Sequence, residues 1–135
     1  DLTQTALNDV RSTWGYMLEQ GATTWWERLP MKPDASYCHA WSTHPTPFLS
    51  RHILGLTPLQ PGWKVFSVRP SCCDLKSASG KVPTPHGEIE FKWTCDPKAR
   101  RTQCELSVPA GTEARITNAS GEARTLAAGT HSWEQ

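Results

Sequence analysis

The run Gly21-Ala22-Thr23-Thr24-Trp25-Trp26-Glu27 places a carboxylate directly after two indoles. A little further on, Ser36-Tyr37-Cys38-His39-Ala40-Trp41 adds an imidazole and a third indole. These side-chain types suit the handling of a sugar. An indole face stacks on the apolar face of a pyranose, while a carboxylate and an imidazole exchange hydrogen bonds with its hydroxyls. Each residue also has an ordinary reading: Glu27 as a surface carboxylate, His39 as partner of a buried carbonyl, and Trp25, Trp26 and Trp41 as core. Three indoles so close in sequence predict that at least one is exposed.

Other chemistries find little to work with. His39, His44 and His52 are spaced by five and eight, which does not bring them to one helical face, so no metal site is expected. Cys38 beside His39 does not make a thiol nucleophile, because adjacent side chains point apart. No glycine-rich phosphate loop is present, and no cofactor is expected. His86 reads as a turn residue, and Lys98, Arg100 and Arg101 as a solvated hairpin tip.

The elements that must position these residues are compact. The 135 residues make about one domain, with 14 basic against 13 acidic side chains. A net charge of +1 argues against a phosphate-backbone binder, so no nucleic-acid partner is expected. The apolar stretches fall far short of the ~20 residues of a membrane span. Eleven Pro and nine Gly exclude a long coiled coil. No signal-peptide pattern opens the chain, which predicts an intracellular or an already processed protein. Five cysteines leave one thiol over in any complete disulfide framework. Cys95 and Cys104 flank a polar run between alternating segments, so a hairpin disulfide is expected there, with Cys38 free to reach Cys72 or Cys73. The sequon Asn118-Ala119-Ser120 is a glycosylation candidate. Together these favour a secreted, extracellular protein.

Leu2, Ala6, Val10, Trp14, Met17 and Leu18 recur at spacings that line one face of a helix over 2–18, with Gly21 as its stop. A second helical region spans about 36–54; its firm part is expected from Pro47 to Leu54, ended by Gly55. Short runs with turns between them follow at 63–69, 74–82, 88–94, 103–108, 113–118 and from 123. Ile89, Phe91 and Trp93 alternate with charged residues, the pattern of an antiparallel strand covering a core on one side. The expected fold is α+β: a short N-terminal helical segment, 1–58, packed on a jelly-roll-like antiparallel β-sandwich, 59–135.

The two motifs above, with Phe48-Leu49-Ser50-Arg51, Pro58-Leu59-Gln60-Pro61-Gly62-Trp63 and Val82-Pro83-Thr84-Pro85-His86-Gly87-Glu88-Ile89, carry a specific likeness. The chain resembles the C-terminal end of the α-L-rhamnosidases of glycoside hydrolase family 78. The resemblance implies that residues 1 to about 55 correspond to the last helices of an (α/α)6 barrel, and those from about 59 to its C-terminal sandwich. It implies Glu27 as the general base of an inverting hydrolysis and His39 as part of the sugar subsite. The family's general acid lies far upstream of the Thr-Thr-x-Trp-Glu motif. Inversion sets the two carboxyls ~6.5–9.5 Å apart around a water. The nearest candidates to stand in, Glu19 and Asp34, fall at a helix end and in a presumed loop.

The expected function is therefore lectin-like glycan recognition through Trp25, Trp26, Glu27, His39 and Trp41, without complete catalysis, and with a carbohydrate ligand that includes rhamnose among the candidates. One alternative is a fragment of an inverting α-L-rhamnosidase. The other is a self-associating interaction protein, a homo-oligomer covering Leu2, Val10, Trp14, Met17 and Leu18.

Overall fold

The computed structural model describes residues 2–96, 98–99, 101–117 and 121–135. The chain divides into two compact units, 1–48 and 49–135. Leu56–Pro58, just before the expected boundary at 58, pairs as a strand. The glycosylation candidate Asn118 lies outside the described residues.

The first unit opens with α1 (Leu2–Val10), a π-helical turn (Arg11–Gly15) and α2 (Tyr16–Glu19). Leu7 and Met17 are buried, whereas Leu2 and Leu18 of the expected apolar face are exposed. The wider π turn shifts the phase of the helix, so one straight 3.6-residue stripe does not describe it. The helix ends as its glycine demands. Gly21 takes φ +81°, its N–H bonds the Leu18 carbonyl at 2.9 Å, and the Ala22 N–H reaches back to the Met17 carbonyl at 2.9 Å. This crossed pair needs a left-handed residue at that position. After a stretch without regular elements, a 3-10 turn (Ala40–Thr43) leads to α3 (Pro45–Phe48). Helix begins at Pro45 rather than Pro47, because both prolines sit in a first turn, where a missing N–H costs nothing.

Among the described residues, the second unit starts with a π-helical turn (Leu49–Ile53) and continues as eight strands. These are β1 (Leu56–Pro58), β2 (Val65–Val68), β3 (Ser77–Thr84), β4 (Gly87–Asp96), β5 (Arg101–Val108), β6 (Glu113–Thr117), β7 (Ala123–Leu126) and β8 (Gly129–Glu134). They form two four-stranded, sandwich-like sheets, β1-β2-β6-β7 and β3-β4-β5-β8. With the helical unit this makes an α+β chain. Each sheet has one apolar face. Phe66, Val68, Ala114, Ile116 and Leu126 line one, and Val82, Ile89, Phe91, Trp93, Cys104, Leu106 and Val108 the other. On the outer face of the second sheet, Lys81 pairs with Glu88 and Glu90, and Lys92 with Glu105.

Two expectations need correction. The sheets are not wholly antiparallel, because β2 and β6 run parallel. Three strands of the other sheet intervene between them, a connection long enough for a parallel return. The expected Cys95–Cys104 bridge is not formed, and all five cysteines are free. The β4–β5 register sets Trp93 opposite Cys104 and Cys95 opposite Thr102. Cys95 and Cys104 are thus diagonal neighbours, typically ~7–8 Å apart, beyond the usual reach of a disulfide of about 4.4–6.8 Å between Cα atoms. Among the described residues no helix is long and apolar enough to cross a membrane.

One glycine fixes the start of the first sheet. Gly55 has φ +76°, and a Cβ there would meet the Arg69 carbonyl oxygen at 1.9 Å. Its own carbonyl accepts the Arg69 N–H at 3.0 Å. Replacing Gly55 by Ala is expected to cost about 2–4 kcal/mol, through backbone strain and a displaced neighbour. Urea unfolding followed by circular dichroism checks this, with the midpoint falling and the slope unchanged.

Candidate functional site

Two irregular segments of the first unit are clasped side by side. The Glu27 N–H donates to the Ser36 carbonyl at 2.9 Å, and the His39 N–H donates to the Trp25 carbonyl at 2.9 Å. The Thr24 hydroxyl donates to the Tyr37 carbonyl at 2.5 Å. The two motifs of the sequence thus meet strand-like, although neither forms a regular strand.

The clasp also aims the carboxylate. Glu27 Oε2 accepts the Ser36 N–H at 2.8 Å. Arg28 Nη2 stands 3.5 Å from Glu27 Oε1 and 3.8 Å from Asp34. His39 Nδ1 lies 3.9 Å from Glu27 Oε2, close enough for an ion pair when the imidazole is protonated and too far for a hydrogen bond. The Glu27 side chain keeps a quarter of its surface (25%) exposed. It is anchored, and still open to one further hydrogen-bond partner.

Ser42 secures the far side. It is buried, its hydroxyl donates to the Trp26 carbonyl at 2.6 Å, and its own carbonyl accepts the Trp14 indole N–H at 2.7 Å. Helix and clasp are thereby joined through one small polar residue. Sequence reasoning missed Ser42 and Arg28. For Arg28 the signal was its place beside Glu27; Ser42 gives none, since its role depends on burial.

Beside the clasp lies an open concavity of about 530 Å³. Leu18, Ala22, Trp25 and Ala40 supply apolar wall; Thr24, His39 and Thr43 supply polar groups. Trp25 and His39 therefore share one surface. Glu27, Trp26 and Trp41 are not among its lining residues, and Glu27 adjoins it through His39. The indoles have different partners: Trp26 meets Tyr37 edge-on at 5.6 Å, and the exposed Trp41 meets His39 edge-on at 5.7 Å. A mostly apolar hollow with a few placed polar groups is the ordinary form of a small-molecule site. Among the described residues no group of three or more His, Cys, Asp or Glu is arranged to hold a metal ion.

Comparison with known proteins bears on this arrangement. Residues 2–53 match the bacterial alpha-L-rhamnosidase 6 hairpin glycosidase domain, and residues 55–131 the bacterial alpha-L-rhamnosidase C-terminal domain. The chain is 33% identical over 120 residues to an alpha-L-rhamnosidase of Formosa agariphila, covering 81% of this chain and 13% of that protein. The crystal structure of a GH78 family rhamnosidase of Bacillus sp. GL1 superposes with a TM-score of 0.73 at 33% identity, over 87% of this chain and 13% of that one. Native alpha-L-rhamnosidase from Aspergillus terreus superposes with a TM-score of 0.74 at 28% identity, over 90% of this chain and 15% of that one. The chain thus spans a small fraction of the length of the relatives it matches.

Ser42→Ala leaves the Trp26 carbonyl without its donor. Losing one part-buried hydrogen bond costs about 1–2 kcal/mol, so amide exchange at His39 and Glu27 should quicken by roughly 5- to 30-fold, while β4 amides stay unchanged. Hydrogen exchange resolved by residue checks both halves of that expectation.

Proposed function

Because the chain belongs to the α-L-rhamnosidase family, as the end of the 6-hairpin glycosidase domain followed by the C-terminal domain, we propose that its first unit recognises a rhamnose-type sugar at Trp25 and His39. The observation that carries this reading is the shared concavity beside an anchored carboxylate. A 6-deoxyhexose carries a methyl group where other hexoses carry a hydroxymethyl. The wall of Leu18, Ala22 and Ala40 suits that methyl, and the Trp25 face suits the ring. His39 can exchange hydrogen bonds with hydroxyls, and the Thr24 and Thr43 oxygens, whose protons go to the Tyr37 and Ala40 carbonyls, can accept from them. Binding without cleavage is proposed for these residues acting alone. Inverting hydrolysis needs a proton donor opposite the base. Asp34 stands in solvent, 76% exposed and paired with Arg28.

A second reading is favoured by the match of residues 2–53 to the glycosidase domain. In it Glu27 is the base of an inverting hydrolysis whose acid stands on another part of the enzyme. Glu27 then takes a proton from the attacking water, and the acid protonates the leaving oxygen.

Titration of the 135-residue chain with L-rhamnose, followed by NMR, tests the proposal. Shifts centred on Trp25 and His39 are expected, with affinity in the ~mM range usual for one sugar on an open site. His39→Ala should weaken binding about 5-fold or more through its lost hydrogen bond. An aryl α-L-rhamnoside should stay intact. Absence of shifts at saturating sugar contradicts recognition. Turnover abolished by Glu27→Gln favours the second reading.

A further inference from the structure

The second unit gathers thiols that the sugar site does not use. Cys72 lies in a tight turn closed by the Leu75 N–H on its carbonyl at 2.8 Å. Its Sγ is 3.5 Å from the Thr102 hydroxyl. Thr102 is the register partner of Cys95 across β4 and β5, and such opposed residues have Cβ atoms about 4.5–5.5 Å apart. Cys95 is near enough to Cys72 to help hold the proton on its thiol. The Cys95 N–H bonds the Lys76 carbonyl at 2.7 Å, drawing the end of β4 against the chain just beyond the turn. Both thiols belong to half-buried residues that a small reagent can reach.

We infer that Cys72 and Cys95 are a dithiol pair that an external low-molecular-weight disulfide oxidises to a bond tying the 72–75 turn to β4. One thiolate attacks the reagent, breaking its S–S bond, forming a mixed disulfide and releasing one reagent thiol. The second thiolate attacks the protein sulfur of that mixed disulfide, forming the internal bond and releasing the other reagent thiol. The protein loses two protons and two electrons, and the reagent disulfide gains them. The other partners within reach are poorer. Cys73 adjoins Cys72, and a trans peptide holds their Cα atoms about 3.8 Å apart, shorter than the usual disulfide range of about 4.4–6.8 Å. Cys104 is buried opposite Trp93, and burial pushes its thiol up to about 12, so it stays protonated and shielded. Burial also raises the Cys72 thiol. A raised thiol holds its proton to higher pH, so exchange through Cys72 quickens as the solution becomes alkaline.

The test is incubation of the 135-residue chain with oxidised glutathione in mildly alkaline buffer, followed by non-reducing digestion and mass spectrometry. A Cys72–Cys95 cross-linked peptide is expected, with Tm raised by about 5–10 °C over the reduced chain. Cys95→Ser should instead hold glutathione on Cys72 and show no such rise. A dominant Cys95–Cys104 or Cys72–Cys73 linkage overturns the inference. So does stable glutathionylation of unbridged Cys72 and Cys95 in the unsubstituted chain, or failure of both thiols to react.

Discussion

Ser36 holds Glu27 from two sides, its carbonyl taking the Glu27 N–H and its N–H giving to the Glu27 carboxylate. This reciprocal pair fixes backbone and side chain in one step. The rest of the candidate site follows from it. With Glu27 pinned to Ser36, the His39 amide falls under the Trp25 carbonyl and the imidazole comes to the edge of the carboxylate. Hydrogen bonds held by irregular backbone are otherwise open to competition from water. Here Ser42, bonded to Trp26 and Trp14, closes that route from behind. Each bond is a modest net contribution of about 1 kcal/mol, but together they replace the ordering that a regular strand would supply.

The second unit relies on burial and on tight backbone approaches. Trp93 fills the centre of its sheet, fully enclosed, and its indole N–H bonds the Ile53 carbonyl at 3.1 Å. The same carbonyl, at a helix end, also takes the Ser71 N–H at 3.2 Å, so both the sheet and the chain beyond β2 satisfy it. Close by, Gly80 leaves room for Leu54, whose Cδ1 stands 2.7 Å from where a Cβ would lie. The outer face carries charge in alternating sign across strands. Those exposed pairs add little stability each and keep the face soluble.

Much of this was legible in the sequence, for identifiable reasons. Gly21 marked the helix stop because only a left-handed residue closes that cap. Ile89, Phe91 and Trp93 marked their strand because a one-sided core imposes period two. What stayed hidden depends on long-range pairing. Leu56–Pro58 is too short to show a period, and its edge position tolerates Pro58. The parallel pairing of β2 with β6 leaves no local trace. Nor do the cysteines reveal partners, since hairpin register decides which of them face one another. At the candidate site, the two motifs that carry Glu27 and His39 were readable as motifs. That Trp25, and not Trp26 or Trp41, faces the concavity was not, because all three indoles sit in irregular backbone without a period to assign their sides.

The clasp and the concavity beside it form one surface: an apolar hollow, an imidazole at its edge and a carboxylate braced behind. The central claim is that the hollow at Trp25 and His39 is where the sugar sits. Crystals of the chain soaked in L-rhamnose test it most directly. The account predicts a pyranose against the Trp25 ring, with a hydroxyl within hydrogen-bond distance of His39. Sugar bound instead on the charged outer face of the β3-β4-β5-β8 sheet, with the hollow empty, would contradict it.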